Sequence, residues 1–441
     1  MNKKFDVSNK MIERAQEIIP AGCHTYSKGP DQSPLMGPKV ISHGKGSHVW
    51  DVDGNEYIDW AMGLTAVSLG HAFEPVLAAV RKELEKGVNF QCPSPIETEL
   101  AELFLQVVPS ADMVKFTKNG STATTGAVKL ARAYTNKKYV AFCSDHGFFS
   151  YDDWYIGTKP CNSGVPEEMS SLSLSFKYND IKSVEVLFQQ HPNQIACVIL
   201  EPMEFDFPKD NFLHKVKDLC HKNGAVFILD EMITGFKLGF PGIHTVLGIE
   251  PDLSTWGKGV ANGFSTCMLA GKREIMELGG LKHNKERVFL VSTTHGAETH
   301  SLAAAIASIK YARDNNTVES DYKKGLVIQK QIKLLISKYH LQDYIEIKGH
   351  PCWLLTIFKD KSGQGSDGLK TLVFQELIKH GILFRGTFNI SVSHSEEDLD
   401  KTFEAFDKAM QVYVKALEEG FEKYLIGHPI KPIFRKWNAV S

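Results

Sequence analysis

Four short apolar runs recur through the middle of the chain with helical stretches between them: Val114-Lys-Phe116, Tyr139-Val-Ala-Phe142, Ile195-Ala-Cys-Val-Ile-Leu200 and Ala225-Val-Phe-Ile-Leu229. They alternate little between apolar and polar residues, which is how strands covered on both faces read. Strands of this kind separated by helices predict an α/β fold with a mostly parallel sheet and helices on both faces. Open sheets of that type bind ligands outside the carboxyl ends of their strands, so the residues that follow each run are the first candidates for a site.

The 441 residues allow two or three structural units. An N-terminal arm and hairpin segment is expected over 1–60. Its helix runs from about Ser8 to Ile19, and an Asp53-Gly54 turn lies between two alternating stretches. The large domain is expected over 61–315. A small α+β domain follows over 316–441, with strands at Tyr344–Gly349, Trp353–Phe358, Ile382–Arg385 and Asn389–Ser393, and a last helix capped at Ser395.

A formal charge of −2 gives no basic field for nucleic acid or an anionic membrane, and nowhere do eighteen apolar residues run together. Eight cysteines are scattered without a C-x-x-C pair, as in a cytoplasmic protein with reduced thiols. The positive N-terminus lacks the apolar stretch of a signal peptide. No metal site is expected.

Asp230 follows four apolar residues, so its carboxylate should emerge at the carboxyl end of a central strand. Alone it would read as a turn or capping aspartate. Lys258, 258 − 230 = 28 positions on, sits between Gly257 and Gly259 and ahead of a stretch too apolar for an exposed turn. Burial there would lower its pKa and free a nucleophilic amine. An anion to hold a pyridine nitrogen protonated, with a lysine to form an imine with an aldehyde, is the pair that pyridoxal-phosphate chemistry requires. The segment Thr117-Lys-Asn-Gly120-Ser121-Thr122 passes from a strand into a helix. Its free N–H groups and hydroxyls suit a phosphate, or equally serve as an ordinary cap.

These segments, in this order, resemble class III pyridoxal-phosphate-dependent aminotransferases of fold type I, and within them the glutamate-1-semialdehyde aminomutase-like branch. The most specific parts are Leu229-Asp230-Glu231-Met232-Ile-Thr234-Gly235-Phe236-Lys237, Pro251 to Lys258, and Gly271-Lys-Arg273-Glu274-Ile275-Met276. The resemblance implies pyridoxal 5′-phosphate as cofactor, with Lys258 forming the Schiff base and Asp230 pairing with the pyridinium nitrogen. Met232 would pack on one ring face, and Gly120, Ser121 and Thr122 would hold the phosphate. Thr293, or Thr294 one register on, would reach the phosphate of a neighbouring subunit in a homodimer. Glu201 matches a glutamate near the cofactor.

Departures from the family pattern bear on the substrate. Relatives carry a ring-stacking aromatic residue before His-Gly, where this chain has Asp145-His146-Gly147-Phe148, leaving His146 or Phe148 to stack. The stretch Gly386–His394 holds no arginine to clamp a carboxylate, and the N-terminal arginine of the semialdehyde enzymes is matched by Lys28. Arg385 is the other cationic candidate, read otherwise as a surface or interdomain ion pair. The expected activity is therefore amino transfer from a small-molecule donor to an aldehyde or ketone, polar or sugar-like. An intramolecular aminomutase is the alternative, and a non-catalytic protein of the same fold ranks third.

Overall fold

The computed structural model describes residues 3–438 and falls into two units. One joins residues 3–73 to Glu319–Ile433; the other joins Glu74–Val318 to residues 434–438. Residues 1–2 and 439–441, included in the domain assignments 1–60 and 316–441, lie outside the described residues.

In chain order the strands are β1 (Ile41–Lys45), β2 (His48–Asp51), β3 (Glu56–Asp59), β4 (Met113–Thr117), β5 (Tyr139–Cys143), β6 (Ser173–Phe176), β7 (Ile195–Leu200), β8 (Val226–Glu231), β9 (Leu253–Trp256), β10 (Cys267–Gly271), β11 (Ile345–His350), β12 (Trp353–Phe358), β13 (Ile382–Leu383) and β14 (Thr387–Asn389). The second unit is built on one sheet in the order β4-β10-β9-β8-β7-β5-β6. Strands β6, β5, β7, β8 and β9 pair in parallel. Strand β10 is antiparallel to both β9 and β4, so β4 runs with the others. Six strands thus end at the same edge.

All residues of β7 and β8 are buried, and successive side chains enter different cores. Cys197, Ile199 and Ile228 join Ala123, Ala127 and Leu130 of the helix Gly120–Thr135. Val198, Leu200, Phe227 and Leu229 join Val216 and Phe212 of the helix Phe212–Lys222 on the other face. Each such Ile, Leu or Phe contributes roughly 1.5–3 kcal/mol by leaving water. Two-sided cover explains why these strands lack polar alternation.

In the first unit, β2 and β3 form the hairpin around Gly54, whose φ of 83° favours a residue without Cβ. Strand β13 pairs in parallel with β3, Ile382 opposite Ile58, which makes the N-terminal segment one unit with the C-terminal residues. A second sheet, β11-β12-β14, packs over the same core, where Trp60, Phe384, Phe388 and Phe406 meet. The final helix, Glu396–Glu419, starts from a capping box between Ser395 and Asp398. No strand forms over 389–393: the Ser391 N–H donates to His394 Nδ1 at 3.1 Å, and the His394 N–H returns to the Ser391 carbonyl at 3.0 Å. That turn aims the chain at the helix cap. Among the described residues no helix is long and apolar enough to cross a membrane.

Candidate active site

At the shared edge, β4 leads into Gly120, β5 into His146, β7 into Glu201, β8 ends on Asp230 and Glu231, and β9 leads into Lys258. One fold rule, right-handed crossovers in a parallel sheet, brings residues more than a hundred positions apart to one edge.

Asp230 and Glu231 are both buried, but their oxygens are used differently. Glu231 is saturated: it accepts from the Thr234 hydroxyl, from the His244 N–H at 2.8 Å and from His244 Nδ1 at 2.7 Å. Asp230 Oδ1 accepts from the Met232 N–H at 2.9 Å and the Thr255 hydroxyl at 2.8 Å. Among the described residues nothing donates to its Oδ2. Burial raises the Asp230 pKa from 3.8 to about 6, against the opposing pull of Thr255 and Lys258. The pair is therefore divided into a structural anchor and an anion with one face open.

Lys258 opens the short turn Lys258–Ala261 with φ of 43°, a left-handed conformation that costs a residue with a Cβ roughly 1–2 kcal/mol. Its amine has no hydrogen-bond or ion-pair partner among the described residues. Burial pushes the amine below its ordinary 10.5, while Glu201 and Asp230 pull it back up. A Cβ on Gly257 would run into Met232 Sδ and Cys267 Sγ, so the residue before Lys258 must be glycine. Met232 also lies against Gly120, whose Cβ would fall 3.0 Å from the Met232 methyl. Burial keeps Cys267 a thiol, with its pKa pushed up to about 12.

The helix Gly120–Thr135 is capped by Asn119, whose side chain accepts from the Thr122 N–H at 2.9 Å and the Thr122 hydroxyl at 3.1 Å. The N–H groups of Gly120 and Ser121 have no acceptor among the described residues. Ser121 Oγ accepts from the Tyr151 N–H at 3.1 Å, which leaves its own proton to donate. Three donors and the positive end of a helix dipole converge there, as a phosphate requires.

His146 Nδ1 accepts from the Glu201 N–H at 3.0 Å, so the ring proton belongs on Nε2. Burial lowers the His146 pKa to about 4. Burial, then the Glu204 and Asp230 charges, pushes the Glu201 carboxyl well above its usual range. Both His146 Nε2 and Glu201 Oε2 are buried without a partner. Phe148 is half-exposed and stacks on Phe434 with ring centres 6.4 Å apart, and Asp145 turns outward to Lys177 at 2.8 Å. Thr293 and Thr294 lie exposed in an irregular loop. The Thr294 carbonyl accepts from Asn89 Nδ2 at 3.0 Å, and the Thr293 hydroxyl is unbonded among the described residues.

Lys28 and Arg385 belong to the other unit. Lys28 is exposed, and Arg385 donates to the Ser27 carbonyl at 2.7 Å without forming any ion pair among the described residues. The expectation of an ion pair at Arg385 is thus not met, because its bonded partner is main chain.

Sequence reasoning missed Thr255 and Asn119. Thr255 sits opposite Asp230 in the β8–β9 register. The signal for it was a polar residue in a buried strand, and β9 itself was overlooked because Ser254 and Thr255 dilute its apolar run.

A mostly parallel sheet that presents a lysine, an open carboxylate and a phosphate-ready helix start at one edge defines a fold-type I pyridoxal-phosphate enzyme. The family model "Aminotransferase class-III" matches residues 30–410. Glutamate-1-semialdehyde 2,1-aminomutase of Persephonella marina is 30% identical over 428 residues, covering 90% of this chain and 97% of that protein. The enzyme of that name from Sulfurihydrogenibium azorense is 32% identical over equal coverage. Among solved structures, the pyridoxal-phosphate form of the FumI protein from Sphingopyxis sp. MTA144 superposes with a TM-score of 0.85 at 25% identity, covering 93% of this chain and 97% of that one. An omega-transaminase from Sphaerobacter thermophilus gives 0.83 at 23% identity, with 92% and 97% covered. The chain belongs to the class III aminotransferase family, and its cofactor is pyridoxal 5′-phosphate.

The residues present fit that cofactor. Asp230 Oδ2 is an anion lacking a donor, Lys258 is an amine lacking an acceptor, and the start of the helix Gly120–Thr135 holds N–H groups lacking both.

Proposed function

We propose that the protein transfers an amino group from a small-molecule amino donor to an aldehyde or ketone, with Lys258 and Asp230 as the catalytic residues. The observation that carries this reading is the pair of unmatched groups at adjacent strand ends, Asp230 Oδ2 and the Lys258 amine. Bound pyridoxal phosphate supplies an electron sink for the pair left when a proton leaves the carbon that bears the amino group. Asp230 Oδ2 would hold the ring nitrogen protonated, while Lys258 carries the cofactor at rest and, once freed, moves the proton as a base of lowered pKa. Gly120 and Ser121 would bind the phosphate with main-chain N–H groups and one hydroxyl, and Thr122, whose hydroxyl bonds Asn119, would add its side chain as cap. Met232 would limit the ring on one face, with His146 or Phe148 on the other. Glu201 would sit near the ring with its proton on. Thr293 or Thr294 would complete the partner's phosphate site in a cytoplasmic homodimer.

The acceptor we favour is a polar, sugar-like carbonyl compound, since Gly386–His394 supplies no arginine and Lys28 is a point charge and not a two-pronged clamp. The names of the relatives near 30% identity support a second reading, an intramolecular aminomutase. Single-turnover spectra distinguish the two. A transferase converts its cofactor only when a separate donor is added and regenerates it only with a carbonyl acceptor. A mutase completes its cycle on one amino-carbonyl compound alone, and that result would overturn the first reading.

A further inference from the structure

Within residues 3–73 and Glu319–Ile433, two cations are held without a bonded carboxylate. Arg385, partly exposed, gives one N–H to the Ser27 carbonyl at 2.7 Å and, among the described residues, leaves its other donors unbonded. The Lys39 ammonium donates to the Ser33 carbonyl at 3.3 Å and to the Pro34 carbonyl. Both cations therefore hang on the main chain of one loop, 27–34, and neither makes an ion pair among the described residues.

Carboxylates in the neighbourhood are committed elsewhere or do not reach. Asp59 Oδ1 accepts from the Ala61 and Met62 N–H groups at 2.8 and 3.2 Å, and Oδ2 is 2.9 Å from His71 Nε2. Asp59 and Asp31 act on Arg385 only through space. Burial, then the Arg385 charge, lowers Lys39 to about 8, and burial lowers Arg385 as well. Two like charges side by side in a partly desolvated loop oppose folding unless something neutralises them. A flat fork of N–H donors beside a point charge matches an oxyanion, which accepts two parallel bonds from the fork and one from the ammonium.

We propose that Arg385 and Lys39 form a binding site for an oxyanion, a carboxylate or a phosphate group carried by a small-molecule ligand. The site goes beyond the amino-transfer reading and does not depend on it. Calorimetric titration of the full-length, cofactor-loaded protein with inorganic phosphate, and separately with succinate, tests it. At least one of the two should bind saturably; phosphate alone marks a phosphorylated ligand, and succinate alone a carboxylated one. Arg385→Gln and Lys39→Gln should each weaken binding about tenfold or more, the worth of one charge-assisted hydrogen bond. Lys39→Arg, which keeps the charge, should stay within about threefold of the wild type. Failure of both anions to saturate the wild type overturns the proposal even if a variant does not fold. Equal affinity in the wild type and both Gln variants overturns it too.

Discussion

Thr255 faces Asp230 across β8 and β9 and donates its hydroxyl to Oδ1 at 2.8 Å. That bond fixes which oxygen of Asp230 is spent on the protein and which remains open. Thr255→Val keeps the shape and removes the donor. The Asp230 pKa, already raised by burial, should rise further, because a bond that favours the anion is gone. A net hydrogen bond of about 0.5–1.5 kcal/mol corresponds to a proton-transfer rate lower by roughly two- to tenfold. Stopped-flow absorbance of the cofactor checks this, and an unchanged rate would remove Thr255 from the site.

Asp230 should cost the cofactor-free protein stability. Its folded pKa of about 6 lies above the model 3.8, so between these values the native state binds more protons than the unfolded one. Stability is then highest below the unfolded pKa and falls as pH rises through the folded one. Asp230→Asn, which can still accept from Met232 and Thr255, escapes that fall. The variant without cofactor should be more stable at pH 8 by up to about 3 kcal/mol, with the difference shrinking toward pH 4. Urea melts at both pH values measure it; a variant less stable at pH 8 would contradict the open anionic face.

The sheet was legible because burial on two faces writes itself into unbroken apolar runs, and Ile195–Leu200 and Val226–Glu231 carry that mark. Strands β9 and β10 were not read, since a four- or five-residue segment with Ser254 and Thr255 in it resembles a turn as much as a strand. Lys258 and Asp230 were legible from glycine and apolar context. Their partners were not, because Thr255, Asn119 and the His146–Glu201 bond depend on register between strands distant in sequence. Residues 389–393 alternate like a strand, yet side-chain bonding at Ser391 and His394 bends them into a turn.

Glycine before Lys258 is enforced more strictly than glycine at the phosphate end. A Cβ on Gly120 meets only Met232 atoms, at 3.0–3.3 Å, and a methionine side chain can give way. A Cβ on Gly257 collides with Met232 and Cys267 together. Gly257→Ala should lower stability by about 1–3 kcal/mol and weaken cofactor retention, while Gly120→Ala should do less of both. Thermal melts with absorbance of retained cofactor rank the two; the reverse order would show that Met232 does not wall this space.

Shared active sites make a prediction about mixtures. If Thr293 from one subunit completes the phosphate site of the other, Thr293→Asp places a negative charge against a dianion and should empty the cofactor site, a like-charge contact costing on the order of 1–4 kcal/mol. Lys258→Ala should be inactive for a separate reason, loss of the amine. In a mixed dimer, the subunit with the altered loop keeps its Lys258 and receives an intact Thr293 from its partner, so one of the two sites is whole. Co-expressing the two inactive chains with different affinity tags and purifying the mixed species should therefore recover amino transfer at up to about half the wild-type rate per dimer, since one site in two is complete. Activity absent from the mixed dimer, with cofactor still bound, would place Thr293 outside the neighbour's site.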